Sequence, residues 1–410
     1  MGRMANPYCE ELGKTYTPLT IEEEAARCLL CYDAPCSKGC PAGTDPARFI
    51  RSVRFKNVKG AARTIRENNA LGAVCARVCP TERYCELACS RTGIDHPIDI
   101  AGIQRYVTDM EEALGLELLH AGKANGKSVA IVGSGPAGLQ AAASLAELGY
   151  AVEIFEEAEK AGGVLRYGIP EYRLPNEVVD HEMARIERLG VKIHLGAKVG
   201  RDIALSELEK THDAVLLAVG YSEPKMLSLF EGNDAAETAV SFLHRVKEAK
   251  GELDLPKSML VIGGGDSAMD AATSAKKAGV PYVTVVCRKF LTAFRASAAE
   301  LSAAQAAGVT IIDGYAPEKV DGHTVTFRHR EAEATFTCTA DLIVLAVGQK
   351  VDAEGLTLDL SKDAEGYATS DPKLFVTGDI VSGDKTVVAS VKRAKEAASA
   401  IDAALRKEGC

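Results

Sequence analysis

The sequence predicts an α/β protein: two nested dinucleotide-binding, Rossmann-like domains behind an α-helical, cysteine-rich segment. Three observations predict it. Short apolar runs alternate with helical patterns from residue 127 onward, as in α/β folds. A strand–glycine turn–helix–strand unit occurs twice, as SVAIVGSGPAGLQAAASLAELGYAVEIFE from Ser128 and SMLVIGGGDSAMDAATSAKKAGVPYVTVV from Ser258. Each is followed by a similar strand, DAVLLAVG (213–220) and DLIVLAVG (341–348). The order fingerprint, strand, fingerprint, strand implies one domain inserted in another, the chain leaving the first near Gly220 and returning near Gly348. The expected division is 1–126, an α-helical domain; 127–222 and 341–410, the two parts of the outer domain; and 223–340, the inner one.

Composition narrows the class. The chain has 410 residues, 47% hydrophobic and 26% charged, which is ordinary for a globular protein of two or three domains. A net charge of −9 argues against nucleic acid as partner. No apolar run is long enough for a membrane span, and the N-terminus lacks the apolar stretch of a signal peptide, so a cytoplasmic location is expected.

The first fingerprint is Gly133-Ser134-Gly135-Pro136-Ala137-Gly138. Its glycines serve a tight turn, backbone approach to a pyrophosphate, and helix–strand packing. Phosphates then meet free amides at a helix N-terminus. Glu156 closes the next strand, where a carboxylate can take ribose hydroxyls. The second fingerprint, Gly263-Gly264-Gly265-Asp266-Ser267-Ala268, leads to a strand ending in Cys287-Arg288-Lys289, with Arg295 beyond. Positive charge there suits a 2′-phosphate, and thus NADPH. Two nucleotide sites suggest a flavin plus a nicotinamide. Gly378-Asp379 in TGDI can set a carboxylate against the flavin's ribityl chain, and Gly162-Gly163 offers another close backbone approach.

The 12 cysteines are uneven: eight fall between Cys28 and Cys89, the rest being Cys9, Cys287, Cys338 and Cys410. Cys28-x2-Cys31-x4-Cys36-x3-Cys40-Pro41 and Cys75-x3-Cys79-Pro80-x4-Cys85-x3-Cys89 are thiolate groups of the kind that holds iron–sulfur clusters, with zinc as the alternative. Thr20-Ile-Glu-Glu23 matches a capping box opening a helix toward Cys28. HAGKANGK (120–127) looks like a linker. Residues 48–66 carry seven Arg or Lys and no acid, with Arg48, Arg51 and Arg54 on one helical face. A solvated face, docking to an acidic partner and offset of cluster charge are the readings open.

Residues 127–410 resemble the two-dinucleotide flavoproteins, with FAD in the outer domain and NAD(P) in the inserted one. Disulfide reductases of that family carry a cysteine pair near the flavin, and this chain has none there. Through CLLCYDAPCSKGCPAGTDPARFIR, RENNALGAVCARVCPTERYCELACSR and PIDIAGIQRYVTD, the whole chain resembles the flavin-containing subunit of bacterial NAD-dependent dihydropyrimidine dehydrogenases. The small subunit of NADPH-dependent glutamate synthase is a close relative by the same resemblance and is the alternative reading, differing in partner and acceptor. The resemblance implies an oxidoreductase with FAD, NADP(H) or NAD(H), and an N-terminal domain holding two 4Fe-4S clusters. Cys28, Cys31, Cys36 and Cys89 would hold one cluster. Cys40, Cys79, Cys85 and Gln104 would hold the other, although spacing alone favours Cys75 over Gln104. FAD positions would be Gly133 to Ala137, Glu156, Gly162, Gly163, Val164, Arg173, Gly378, Asp379, Lys385, Thr386 and Val387. Nicotinamide positions would be Gly264, Gly265, Asp266, Ser267, Arg288, Lys289, Arg295, Ala346, Val347 and Gly348. No acid–base residue is expected, since hydride transfer needs none. The implied partner is an FMN and iron–sulfur subunit that reduces uracil or thymine, in a hetero-oligomer, most simply a heterotetramer. A zinc-stapled nucleotide-binding regulatory module is the reading from another class.

Overall fold

A computed structural model of the chain describes residues 6–13, 15–352, 356, 367, 369–381 and 383–407; Cys410 lies outside them. The chain forms two compact units. One comprises residues 13–166, 176–221 and 351–410; the other comprises 1–12, 167–175 and 222–350.

The first unit holds a five-stranded parallel sheet. Its strands β1 (Ser128–Val132), β2 (Ala151–Phe155), β3 (Lys192–His194) and β4 (Ala214–Leu217) are joined by Leu374–Val376, in the order Leu374–Val376, β4, β1, β2, β3. The central strands are buried on both faces, so they read as continuous apolar runs. The second unit repeats the plan: Ala236–Thr238, Leu342–Leu345, Ser258–Ile262, Tyr282–Cys287 and Thr310–Asp313 lie side by side, all parallel. An antiparallel three-stranded sheet, Tyr315–Asp321, Thr324–His329 and Thr335–Thr339, is added to it.

The internal repeat persists at the level of single hydrogen bonds. Asp213 accepts the Ser128 amide at 2.7 Å and its hydroxyl at 3.2 Å. Asp341 accepts the Ser258 amide at 3.0 Å and its hydroxyl at 2.7 Å. Because Leu342–Leu345 pairs with Ser258–Ile262, residues 341–350 belong to the inner unit. The expected return to the outer domain at 341 is corrected to 351.

The cysteine-rich segment is helical: α1 (Thr20–Ala26), α2 (Pro35–Lys38), α3 (Pro46–Arg54), α4 (Val58–Arg66), α5 (Gly72–Val78) and α6 (Ile100–Ala113). Side-chain caps open three of them. Asp45 accepts Arg48 N at 3.0 Å, Asn57 accepts Gly60 N at 2.8 Å, and Asp99 accepts Gly102 N at 2.7 Å. The capping box expected at Thr20 is not formed. Thr17 and Thr20 instead accept each other's amides, at 3.2 and 2.9 Å, so Glu23 is left out. From Gly13 on, the segment lies in the same compact unit as the outer dinucleotide domain. Nor is 120–127 a loose tether. Gly122 N donates to Ala146 O at 2.9 Å and Asn125 N to Gly149 O at 3.0 Å, which lays it along the end of α7 (Pro136–Glu147).

A buried ion network fastens α4, α5 and α6 to the helix Asn176–Glu187. Arg66 pairs with Glu111 at 2.7 Å and Glu182 at 2.8 Å, each side chain 1% exposed. Glu182 also accepts the Ala73 amide at 2.7 Å, capping α5 from outside. Arg185 adds a bond to Glu182 at 3.3 Å and one to Glu112. Removing one partner of such a group leaves an uncompensated buried charge, at a cost of about 3–5 kcal/mol. Arg66→Leu is therefore expected to lose that much in chemical denaturation. Arg48→Ala, which breaks an exposed pair with Glu67, should lose less than about 1 kcal/mol.

Candidate functional site: thiol clusters and two nucleotide cradles

The thiols gather in two groups. Cys28, Cys31, Cys36 and Cys89 line one small pocket, together with apolar residues including Ile50 and Ile98. Cys31 lies 3.5 Å from the Ser90 hydroxyl. Burial first, and the neighbouring Cys89 and Cys28 next, push the Cys36 thiol up to about 11. The other group is deeper. Burial raises Cys79 most, then Cys75, Cys85 and Cys40 beside it. Cys85 is raised by burial too, and it senses both Cys40 and Cys36, so the two groups adjoin.

These residues fit iron–sulfur clusters. Buried thiolates packed together are unfavourable without a positive centre. All eight are free thiols. Among the described residues no three His, Cys, Asp or Glu side chains converge as a single metal ion requires; the first tetrad surrounds a cavity instead. A cluster fills such a space, whereas zinc draws its four sulfurs to within about 2.3 Å of one point.

Sequence spacing and the resemblance disagree on one ligand, and the structure shows both residues. Cys75, on α5, is buried, and burial raises its thiol, with Cys40 among its neighbours. Gln104, on α6, donates its amide to Gly72 O at 2.7 Å, at the start of α5. Among the described residues the Gln104 oxygen takes no hydrogen bond.

The first fingerprint forms the expected turn. Gly133 has φ +98°, and a Cβ there would lie 2.7 Å from Ala218 O; at the matching Gly263 it would lie 2.4 Å from Ala346 O. A Cβ at Gly138 would meet Gly133 O at 2.0 Å, whereas one at Gly135 would meet nothing within 4 Å. Gly138 therefore serves packing, and Gly135 faces open space where a phosphate can approach. Glu156 turns toward this loop: it accepts Ser134 N at 2.9 Å, the Ser134 hydroxyl at 2.5 Å and Ala158 N at 2.9 Å. Ser134 in turn accepts Gly162 N at 2.9 Å, linking the glycine turn to Gly162-Gly163. Val164, 51% exposed, follows them.

TGDI reaches the same place. A Cβ at Gly378 would touch Ala137 at 3.0 Å. Asp379 is half-buried near Ser390 and Arg393, and burial raises its carboxyl. Thr386 caps the long helix Val387–Lys407 by accepting Ala389 N at 3.3 Å, and Lys385 lies over the Tyr221 ring. Sequence reasoning missed Tyr84, set between Cys79 and Cys85. It donates to Asp384 and lies 3.4 Å from Thr386, so the deeper thiol group abuts the flavin segment. Lys395 adds a bond to Ala42 O at 2.8 Å. Nothing in local sequence marks these contacts, because both join residues 300 or more positions apart.

In the inner unit, Arg288, Lys289 and Arg295 stand at the end of the strand Tyr282–Cys287, without ion pairs among the described residues. Arg295 N donates to Gly264 O at 2.9 Å, holding that loop on the fingerprint, and Ala346 N donates to Ile262 O at 2.9 Å. Asp266 accepts Ser297 N at 2.7 Å. Gly265 and Ser267 belong to the same turn, and Val347 and Gly348 follow Ala346, whose carbonyl faces Gly263. Arg173, expected among flavin positions, lies in this unit, bound to Asp270 at 2.8 Å and Glu300 at 2.9 Å.

Fold and site define a two-dinucleotide flavoprotein oxidoreductase with an N-terminal iron–sulfur domain. Residues 4–116 match the family described as dihydropyrimidine dehydrogenase domain II, 4Fe-4S cluster, and residues 127–402 match pyridine nucleotide-disulphide oxidoreductase. The chain is 50% identical over 398 residues, 96% of each chain, to the NAD-dependent dihydropyrimidine dehydrogenase subunit PreT of Salmonella typhimurium and to that of Escherichia coli K12. It belongs to the PreT family. It is also 33% identical to the NADP(+)-dependent formate dehydrogenase subunit beta of Moorella thermoacetica, over 91% of this chain and 60% of that one. Among solved structures, FprA of Mycobacterium tuberculosis in complex with NADPH has a TM-score of 0.58 at 18% identity, covering 69% of this chain and 86% of that one. Thioredoxin reductase of T. acidophilum has 0.54 at 21%, covering 68% and 98%. These two show the fold. The cofactors are FAD, a nicotinamide nucleotide and 4Fe-4S, as expected from the sequence.

Gly138→Ala should abolish soluble, flavin-bearing protein. Gly135→Ala should fold and bind FAD at least about tenfold more weakly by fluorescence titration, the cost of one strained charge-assisted hydrogen bond.

Proposed function

We propose that the chain is the electron-input subunit of a dihydropyrimidine dehydrogenase of the cytoplasm. When bound, FAD would exchange a hydride with the nicotinamide, and two 4Fe-4S clusters would pass single electrons to a partner subunit that reduces uracil or thymine to the 5,6-dihydropyrimidine. The observation that carries this reading is the union of thiol groups and flavin cradle in one compact unit, with Tyr84 joining them.

The chain's own residues bind and orient. Gly133 to Gly138 would present free amides to the flavin pyrophosphate, with Glu156 and Gly162 fixing the turn. Asp379 would face the ribityl chain. Cys28, Cys31, Cys36 and Cys89 would hold one cluster. Cys40, Cys79, Cys85 and Gln104 would hold the other, as the resemblance implies: with its amide given to Gly72 O, Gln104 has its oxygen available. A neutral amide in place of a thiolate removes one negative charge and shifts the potential of that cluster. The relatives' designation as subunits supports a hetero-oligomer, with a heterotetramer as the arrangement to test.

The coenzyme is open to a direct test. Arg288, Lys289 and Arg295 suit a 2′-phosphate, while the PreT relatives are named NAD-dependent. If the trio contacts that phosphate, Arg288→Ala lowers kcat/KM for NADPH about tenfold or more and leaves NADH unchanged. Equal effects on both would remove the role. Gln104→Ala should alter the electron paramagnetic resonance of one cluster while Cys75→Ala keeps full iron content; the reverse pattern would make Cys75 the ligand. The function itself is tested by NAD(P)H oxidation under anaerobic conditions. The isolated chain should reduce a dye but not uracil, and the complex should reduce uracil. Uracil reduction by the chain alone would contradict the two-subunit reading.

A further inference from the structure

Beside the three cations of the inner unit stands an acid. Asp313 ends the strand Thr310–Asp313, which runs parallel to Tyr282–Cys287 with Asp313 opposite Cys287. Tyr282–Cys287 in turn runs parallel to Ser258–Ile262, which leads into the second fingerprint. The three strands therefore deliver the glycine turn, the Cys287-Arg288-Lys289 end and Asp313 to one edge of the sheet. That is the edge at which parallel α/β sheets bind ligands.

Close contacts tie these strand ends together. A Cβ at Gly264 would lie 2.3 Å from Cys287 Sγ, so the fingerprint rests on the neighbouring strand end. Lys289 N donates to that sulfur at 3.4 Å, and Gly314 N donates to Lys289 O at 3.2 Å. The Asp313 carboxylate accepts Leu291 N at 2.7 Å, which closes the loop after the cations. Burial is the first influence on the Cys287 thiol and raises it. Lys289 and Arg288 lower it by charge and Asp313 raises it, so all three lie near that sulfur.

Asp313 is half-buried, and its second oxygen takes no hydrogen bond among the described residues. Nor does it form an ion pair there with Arg288, Lys289 or Arg295. The acid is held in place but not neutralised. Holding Leu291 needs an acceptor and no charge, so an asparagine would serve that purpose. The charge bears on the coenzyme. Cations favour a 2′-phosphate, whereas a carboxylate accepts a free ribose hydroxyl and repels a phosphate. The PreT relatives are named NAD-dependent, which three cations alone do not explain.

We propose that Asp313 is the specificity-determining residue of the nicotinamide site. Its free oxygen takes the 2′-hydroxyl of an adenosine ribose and turns away a 2′-phosphate, against the pull of Arg288, Lys289 and Arg295. The proposal rests on the reading of the second fingerprint as the coenzyme site.

The test uses the complete chain with FAD and iron in place, and two ligands that carry no nicotinamide, ADP-ribose and 2′-phospho-ADP-ribose. Their Kd values are measured by calorimetry, alongside kcat/KM for NADH and NADPH in dye reduction. Asp313→Asn keeps an acceptor for Leu291 N and removes the charge. It should shift the ratio of the two Kd values toward the phosphorylated ligand by about tenfold or more, the worth of one charge-assisted hydrogen bond. The ratio of kcat/KM values should move the same way. Should the asparagine variant lose its flavin, Asp313→Ser, which also offers an acceptor, carries the same expectation. An unchanged ratio, with Arg288→Ala still weakening 2′-phospho-ADP-ribose, would overturn the role of Asp313 and leave the coenzyme site standing. Equal weakening of both ligands by Asp313→Asn would make the residue a holder of the loop only, and would also overturn the proposal. Binding that neither Asp313→Asn nor Arg288→Ala alters would overturn the coenzyme site together with the proposal.

Discussion

The buried group Arg66, Glu111, Glu182 and Arg185 is the constraint on which the outer unit depends. Its members come from α4, α6 and the helix Asn176–Glu187, so each charge is satisfied only when all three segments are in place. Glu182 does more than neutralise Arg66. By accepting Ala73 N it ends the orphaned first turn of α5, the helix that carries Cys75 and runs into Cys79. An ion group of this kind adds little net stability over an apolar core, but it penalises every arrangement that leaves one charge unpaired. The thiol-bearing helix is thereby held to one register on the flavin-binding fold.

A second layer of order comes from duplication. Two sheets share strand order, glycine turn and the Ser–Asp bond at the strand start. They diverge where the ligand differs. Gly138 leaves no room for a side chain, whereas its counterpart Ala268 is accommodated with its methyl buried. Glu156 ends the second strand of one unit and Arg288 that of the other. The common parts are what a pyrophosphate on a helix terminus demands, and the divergent residues lie where an adenosine ribose or its 2′-phosphate would be read.

Much of this was legible in the sequence, for physical reasons. Strands buried on both faces, glycines that admit no Cβ, and thiols in tight spacing are local signals. The repeat made the nesting readable, though the strand 342–345 changed sides once its pairing was known. What escaped was non-local. Arg66 is chemically like its exposed neighbours in the basic run, and only Glu111 and Glu182 make it a core residue. Tyr84 sits in a thiol loop, yet its partners are Asp384 and Thr386. Arg173 joins Asp270 and Glu300, 97 or more positions away. Thr20 failed as a cap because Thr17, one turn earlier, offered a reciprocal bond.

The account rests on thiol groups and flavin cradle belonging to one unit, so that electrons entering at the flavin reach the iron without a partner. Anaerobic rapid mixing of the isolated, cofactor-loaded chain with NADH or NADPH tests this directly, following flavin absorbance and the paramagnetic signals of the clusters together. The account predicts flavin bleaching followed by reduced-cluster signals in the chain alone. Flavin bleaching with the clusters fully oxidised until a partner subunit is added would contradict it.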